Sequence, residues 1–252
     1  MTFEERIEQY RTIIDDVSFS TVKEWKSKHV TGKVVGMFPV YTPYEIPHAA
    51  GMLPVGVLGA GGKIEIDHAD SRIQSFVCSI ARSTLEMGLT ERLKDFDALY
   101  FTSICDVARN LSGIWQTNFP HQLAEYVHFP QNMTSASAPK HYRTELQKLL
   151  NNLEKLSGAK VTNEQLLTSI QTYNRNRELT GRLYDIKRNT PWLLSTYETY
   201  ILLRLGTLLP VEEHTSILEE IIPVIQSRDR SKRDFVRVMI EGSFCEQLPL
   251  EL

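Results

Sequence analysis

The chain has 252 residues, and 28 Lys and Arg against 31 Asp and Glu leave a formal net charge of −3. With 42% hydrophobic and 23% charged residues, the composition is that of an ordinary globular protein. It excludes disorder, a collagen-like repeat and a basic surface built to coat nucleic acid. Three cysteines are an odd number and too few for a disulfide framework, so reduced thiols and a cytoplasmic setting are expected.

The N-terminus, MTFEERIEQYRTIIDD, is acidic and amphipathic and lacks the pattern of a signal peptide. Phe3, Ile7, Tyr10, Ile14 and Trp25 recur at near-helical spacing and predict a helix over residues 3–29. KVVGMFPV is a β-branched run stopped by Pro39 and reads as a buried strand. TPYEIPHAAG follows as a short helix, with Thr42 as the expected cap, Pro43 in the first turn and Gly51 at the end. MLPVGVLG is a second strand, and the cluster Gly59, Gly61 and Gly62 after it reads as a turn.

The alternation then repeats. SFVCSIARSTLEMGL is helical, DALYFTSIC is a strand, DVARNLSGIW opens a helix, and AEYVHFP is a further strand. Short apolar strands alternating with helices predict parallel βαβ units. The longest apolar stretch, YILLRLGTLLPV, is broken by Arg204, Gly206 and Pro210, so no membrane span is expected.

Past residue 132 the character changes. MTSASAPK reads as a linker, and from Tyr142 to about Ile225 the chain is almost wholly helical. Leu146, Leu149, Leu150, Leu153 and Leu156 form one apolar stripe, and Thr162 with Gln165 marks a helix start. SRDRSKRD is a charged linker, FVRVMIEGSF reads as a fresh strand, and CEQLPLEL as the first turns of its helix. The expected fold class is α/β. A Rossmann-like parallel-sheet domain spans 1–132, a helical subdomain 133–230, and the start of a second, truncated α/β domain 231–252.

Chemistry is expected at the strand ends. Cys105 closes a predicted strand just before a helix, and Cys78 stands at the start of a helical stretch. A helix N-terminus favours negative charge, and soft metals and iron–sulfur clusters bind thiolates. Buried cysteines that only pack are the commoner case. Glu45 and His48, three apart, share a helical face and form either a proton relay or a solvent-side ion pair. Composition and spacing alone leave an α/β protein with an undetermined ligand.

Three long motifs taken in order narrow this. FPVYTPYEIPHAAGMLPVG, HADSRIQSFVCSIARSTLEMGL and FTSICDVARNLSGIW together resemble the 2-hydroxyacyl-CoA dehydratase and benzoyl-CoA reductase family. LPVEEHTSILEE and IEGSFCEQLPLEL are most similar to the C-type subunits of its ATP-dependent reductase branch. The resemblance covers essentially the whole chain.

It implies a catalytic subunit that pairs with a homologous B-type subunit and binds an acyl-CoA thioester. The A-type and D-type subunits hydrolyse ATP and pass on electrons from ferredoxin, and the aromatic ring of benzoyl-CoA is reduced to a cyclohexadiene carbonyl-CoA. The resemblance also implies an iron–sulfur cluster of the 4Fe–4S type, with Cys78 and Cys105 as two of three cysteine ligands. The third lies far downstream in the family, and Cys245 is the only other thiol in this chain. Under the same resemblance Glu45 and His48 become candidates for proton delivery or thioester orientation. Arg109 and Asn110 become hydrogen-bond donors near the cluster or plain helix-surface residues. The other readings are radical water elimination in a 2-hydroxyacyl-CoA dehydratase, and a cluster-free assembly partner.

Overall fold

The computed structural model describes residues 1–238 and 241. Two compact units are formed, one from Val17–Ser169 and one from Met1–Asp16 with the chain from Ile170 onward. The helix expected over residues 3–29 is two helices, α1 (Phe3–Asp15) and α2 (Ser20–Lys28), one in each unit. Asp16 is extended and Phe19 left-handed, at φ 51°. The break has a packing reason. Phe3, Ile7 and Tyr10 bury in a helical core, whereas Phe19 turns edge-on to Phe96 at 5.1 Å in the sheet unit.

The sheet unit carries four parallel strands: β1 (Val34–Phe38), β2 (Leu53–Gly56), β3 (Ala98–Thr102) and β4 (Leu123–Val127). Their spatial order is β2-β1-β3-β4, with Gly36 beside both Val55 and Leu99. Every residue of β1, β2 and β3 is buried. That is the mark of a parallel sheet covered on both faces, and it explains why these strands read as apolar runs rather than alternations.

The connections are α3 (Glu45–Ala49), α4 (Ser79–Leu89) and α5 (Asp106–Asn118). A Cβ on Gly88 would come within 2.5 Å of the Trp115 ring, so glycine lets α4 and α5 lie close. Trp115 is locked in turn by its indole N–H to Gln122 Oε1 at 2.9 Å. α6 (Ala138–Ser157) brings Leu149 and Leu153 of the predicted stripe onto Val35, Met37 and Tyr100. The change of composition near residue 132 therefore marks no break in packing, because α6 completes the sheet's core.

α7 (Asn163–Asn189) starts on the expected cap: Thr162 Oγ1 accepts from Gln165 N–H at 3.1 Å, and Gln165 Oε1 accepts from Thr162 N–H at 2.8 Å. The second unit packs α1, most of α7, α8 (Thr196–Leu205) and α9 (Val211–Gln226) around Leu183, Leu202, Leu218 and Ile221. Of the strand expected over 235–244, residues 235–238 form no ladder. Most of its remainder, and the helix expected from Cys245, lie outside the described residues. No helix among the described residues is long and apolar enough to cross a membrane.

His214 is a buried imidazole in this helical core. Its Nε2 donates to the Leu202 carbonyl at 2.9 Å and its Nδ1 accepts from Asn176 Nδ2 at 2.9 Å, so the neutral ring is satisfied on both sides. Burial pushes its pKa below the ordinary histidine value, against a smaller opposing effect of the Leu202 carbonyl. Unfolding exposes a ring that titrates near about 6.5 and binds the proton the folded ring refuses. The contribution to stability is therefore complete above that pH and is lost as pH falls below it. In urea unfolding from pH 8 to pH 5, the wild-type midpoint is expected to fall more than that of His214→Gln. Parallel curves would refute this.

Candidate functional site

In an open parallel sheet the ligand crevice lies beyond the C-terminal strand ends, where the strand order reverses. Here that point is between β1 and β3, whose connections lead away to β2 and β4 on opposite sides. α3 leaves from the end of β1 and α5 from the end of β3, while α4 starts its return from the same edge. Thr102 Oγ1 donates to the Val40 carbonyl at 2.7 Å, and Phe129 N–H donates to Ser103 Oγ at 2.7 Å. These bonds tie together the loops that leave β1, β3 and β4.

Both candidate ligands from the motifs are helix N-caps. Cys105 caps α5 in an extended conformation and its Sγ accepts from Ala108 N–H at 3.5 Å. Cys78 caps α4. Both are thiols, Cys105 exposed and Cys78 partly so. Each sulfur stands at the positive end of a helix dipole.

The surroundings of Cys78 are built from its own helix. Gly59, at φ +71°, lets the loop after β2 lie on the first turn of α4, since a Cβ there would meet the Ile80 Cα at 2.9 Å. Ala60 N–H donates to Ser83 Oγ, and Ser83 Oγ donates to the Ser79 carbonyl at 2.7 Å. The expected glycine turn is thus also a close approach. Farther along α4, Glu86 accepts from His68 Nδ1 at 2.7 Å and from the His68 and Ala69 N–H groups at 2.9 and 2.8 Å. Burial alone raises the Glu86 carboxyl, but these three donors together hold it below its ordinary value. Arg82 grips Asp70 with a two-pronged contact at 2.9 and 2.8 Å. The HADSR segment is therefore a strap fastened to α4 ahead of Cys78, a role its sequence does not announce.

α3 carries Glu45 and His48 as expected, but not on the expected cap. Its N-cap is Tyr44, which makes no side-chain cap bond, and Thr42 is buried in the loop before it. The five-residue helix is too short to depend on a cap, and packing of Ile46 and Met52 in the sheet core holds it. Ser169 of α7 reaches across: His48 Nδ1 lies 2.8 Å from Ser169 Oγ, which donates to the Glu45 carbonyl at 2.8 Å.

Two tyrosines complete the surroundings. Burial pushes the Tyr142 phenol up, and the nearby Glu45 carboxylate adds to the effect. Burial also raises Tyr126, opposed by Arg109 and reinforced by Cys105 and Asp106. Arg109 itself pairs with Asp106 at 3.2 Å and is exposed, as is Asn110. Ser169, Tyr142 and Tyr126 were not legible in the sequence, since nothing local marks them.

Two soft sulfur donors fit an iron–sulfur cluster in kind, though not in number. Among the described residues no three His, Cys, Asp or Glu side chains gather as a metal-binding group. Cys245 lies outside the described residues.

The family model described as 2-hydroxyglutaryl-CoA dehydratase, D-component, matches residues 39–252. The chain is 42% identical over 246 residues to the C-type subunit of benzoyl-CoA reductase from Thauera aromatica, covering 98% of this chain and 64% of that one. It is 29% identical to the beta subunit of lactoyl-CoA dehydratase from Anaerotignum propionicum, over 96% of this chain and 64% of the relative. To the beta subunit of (R)-2-hydroxyglutaryl-CoA dehydratase from Acidaminococcus fermentans it is 28% identical, over 83% of this chain and 55% of the relative. The chain thus spans less than two thirds of the length of each.

Proposed function

This chain belongs to the 2-hydroxyglutaryl-CoA dehydratase D-component family, and we propose that it is a catalytic subunit of an iron–sulfur benzoyl-CoA reductase. In this reading the complex reduces the aromatic ring of benzoyl-CoA to a cyclohexadiene carbonyl-CoA in the cytoplasm, during anaerobic degradation of aromatics. Its partners are a homologous B-type subunit, ATP-hydrolysing A-type and D-type subunits, and ferredoxin as electron donor. What supports the reading is that Cys78 and Cys105 each cap a helix of the sheet unit and that Glu45 and His48 lie on α3, the helix that follows β1. The reductase is preferred to a dehydratase because the likeness to the reductase relative is the stronger one.

Cys78 and Cys105 would hold the cluster, with the third ligand supplied from outside the described residues. A bound cluster of this kind supplies single electrons at low potential. The remaining work belongs to the side chains of this chain. Adding an electron to an aromatic ring makes it strongly basic, and a placed acid traps it by protonation before the electron returns. His48 and Glu45 are that acid–base pair, held at the end of β1. A hydrogen bond to the thioester oxygen lowers the energy of the charge that develops there. Tyr126, Arg109 and Asn110 tune the surroundings of Cys105.

Electron accounting tests this. The anaerobically assembled complex, given benzoyl-CoA, ATP and reduced ferredoxin, is expected to consume two electrons for each diene formed. It is expected to leave 2-hydroxyacyl-CoA thioesters intact. A dehydratase recycles its electron, so dehydration of a 2-hydroxyacyl-CoA with benzoyl-CoA untouched would overturn the reductase reading in favour of radical water elimination. A complex that assembles without iron would make the chain an assembly partner.

A further inference from the structure

Ser169 Oγ stands 2.8 Å from His48 Nδ1 and 2.8 Å from the Glu45 carbonyl oxygen. A serine hydroxyl has one proton, and a carbonyl oxygen can only accept. The proton of Ser169 is therefore committed to Glu45, and the contact with His48 is satisfied only if Nδ1–H is the donor. The reverse arrangement would leave two oxygens 2.8 Å apart with no proton between them, a repulsive contact in a place where Ser169 is only 1% exposed. We propose that Ser169 is a positioning residue that holds neutral His48 as the Nδ1–H tautomer, so that Nε2 is the atom at which this imidazole gains and loses its proton.

The device spans 121 positions of sequence and lies wholly within the sheet unit. It works through three features. The Glu45 carbonyl orients the hydroxyl. The hydroxyl then orients the ring and fixes its tautomer, as partners of a catalytic or metal-binding histidine commonly do. Burial of Ser169 keeps bulk water from its hydroxyl. His68 and His214 show the same logic with other partners. The Glu86 carboxylate requires Nδ1–H on His68, and the Leu202 carbonyl requires Nε2–H on His214. The fold thus assigns different tautomers to different histidines by the acceptor it places beside each.

That the Nε2 proton matters in turnover rests on the proposed part of α3 in proton delivery, whereas the tautomer itself does not. Nitrogen NMR of the full chain labelled at histidine, with the imidazoles neutral, reads it directly. The resonances of His48 are picked out from those of the 7 histidines by their absence in His48→Gln. Wild type is expected to show His48 protonated at Nδ1 and bare at Nε2. Ser169→Ala is expected to move the population toward Nε2–H, and Ser169→Thr, which keeps a hydroxyl, to restore Nδ1–H. A wild-type His48 protonated at Nε2, or a spectrum unchanged in Ser169→Ala, overturns the proposal. In the assembled complex Ser169→Ala is expected to lose about two- to tenfold in turnover, the fold-change that one hydrogen bond represents, with Thr recovering it. Unchanged turnover beside a displaced tautomer would support the tautomer assignment and sink the role of His48 in proton delivery.

Discussion

Cys78→Ala and Cys105→Ala are each expected to strip iron and acid-labile sulfide from the anaerobically purified complex and to lower its activity at least about a hundredfold. Loss of a partner outside the ligand shell already costs a metal site about ten- to a hundredfold, and a lost ligand costs more. The effect should be specific. Each cysteine is a helix cap whose backbone bonds, from Ala81 and Arg82 N–H to the Cys78 carbonyl and from Arg109 N–H to the Cys105 carbonyl, are kept by alanine. Cys105 Sγ accepts one long bond, 3.5 Å from Ala108 N–H, and the α5 helix is held chiefly by buried Leu111 and Trp115. α4 is anchored by Ile80, Leu85 and the Glu86 strap, all beyond the cap. The alanine variants should therefore fold with their helices intact, and circular dichroism with iron analysis separates ligand loss from misfolding. Iron retained in both variants would rule out Cys78 and Cys105 as its ligands. Cys245→Ala is the informative companion: iron loss there would identify the third ligand, and retention would place it elsewhere.

Arg228→Met is expected to give the largest loss of stability, about 3 kcal/mol, at the low end of the cost of leaving one member of a buried pair alone. Arg228 follows α9, yet its side chain is only 8% exposed and serves several partners at once. Nη2 meets Glu198 at 2.9 Å and Glu4 at 3.0 Å, and Nη1 donates to the Leu193 carbonyl at 2.8 Å. The guanidinium also lies 4.1 Å from the centre of the Phe3 ring. One side chain therefore joins α1, the turn before α8, α8 itself and the exit of α9. Methionine replaces the packing but leaves Glu198, 10% exposed, without its main counter-charge. Arg230, 3.5 Å away, is a partial stand-in, which sets the low end of the range. Arg228→Lys should recover only part of the loss, because a single ammonium cannot form the fork or stack flat on Phe3. Urea unfolding followed by circular dichroism measures this, and a change under about 0.5 kcal/mol, the scale of an ordinary surface substitution, would refute it.

Much of the fold was legible in the sequence because its signals are local. β1, β2 and β3 are short apolar runs because both faces are covered, and each run is cut off by a proline, a glycine cluster or a helix start. The start of α7 was legible because a capping box needs only residues three apart, Thr162 and Gln165. The cysteines could be placed at helix starts for the same reason: strand, loop and helix follow one another along the chain. Where local cues failed, a long-range contact had overruled them. Residues 3–29 have one continuous helical spacing, but Phe19 is claimed by Phe96 and Tyr10 by the helical core, so the chain breaks between them.

The parallel α/β class and most of the order of elements were readable from the sequence alone, which also singled out Glu45, His48, Cys78 and Cys105 as the residues to test. Those depend on hydrophobic period, capping chemistry and motif order, all readable within a few residues. Tertiary structure alone decided that α6 completes the sheet's core, that the HADSR segment is fastened to α4 by Glu86, and that Ser169 meets His48 across 121 positions. Such pairings are set by which surfaces bury one another when the chain closes up, and no local pattern encodes a partner more than a hundred residues away.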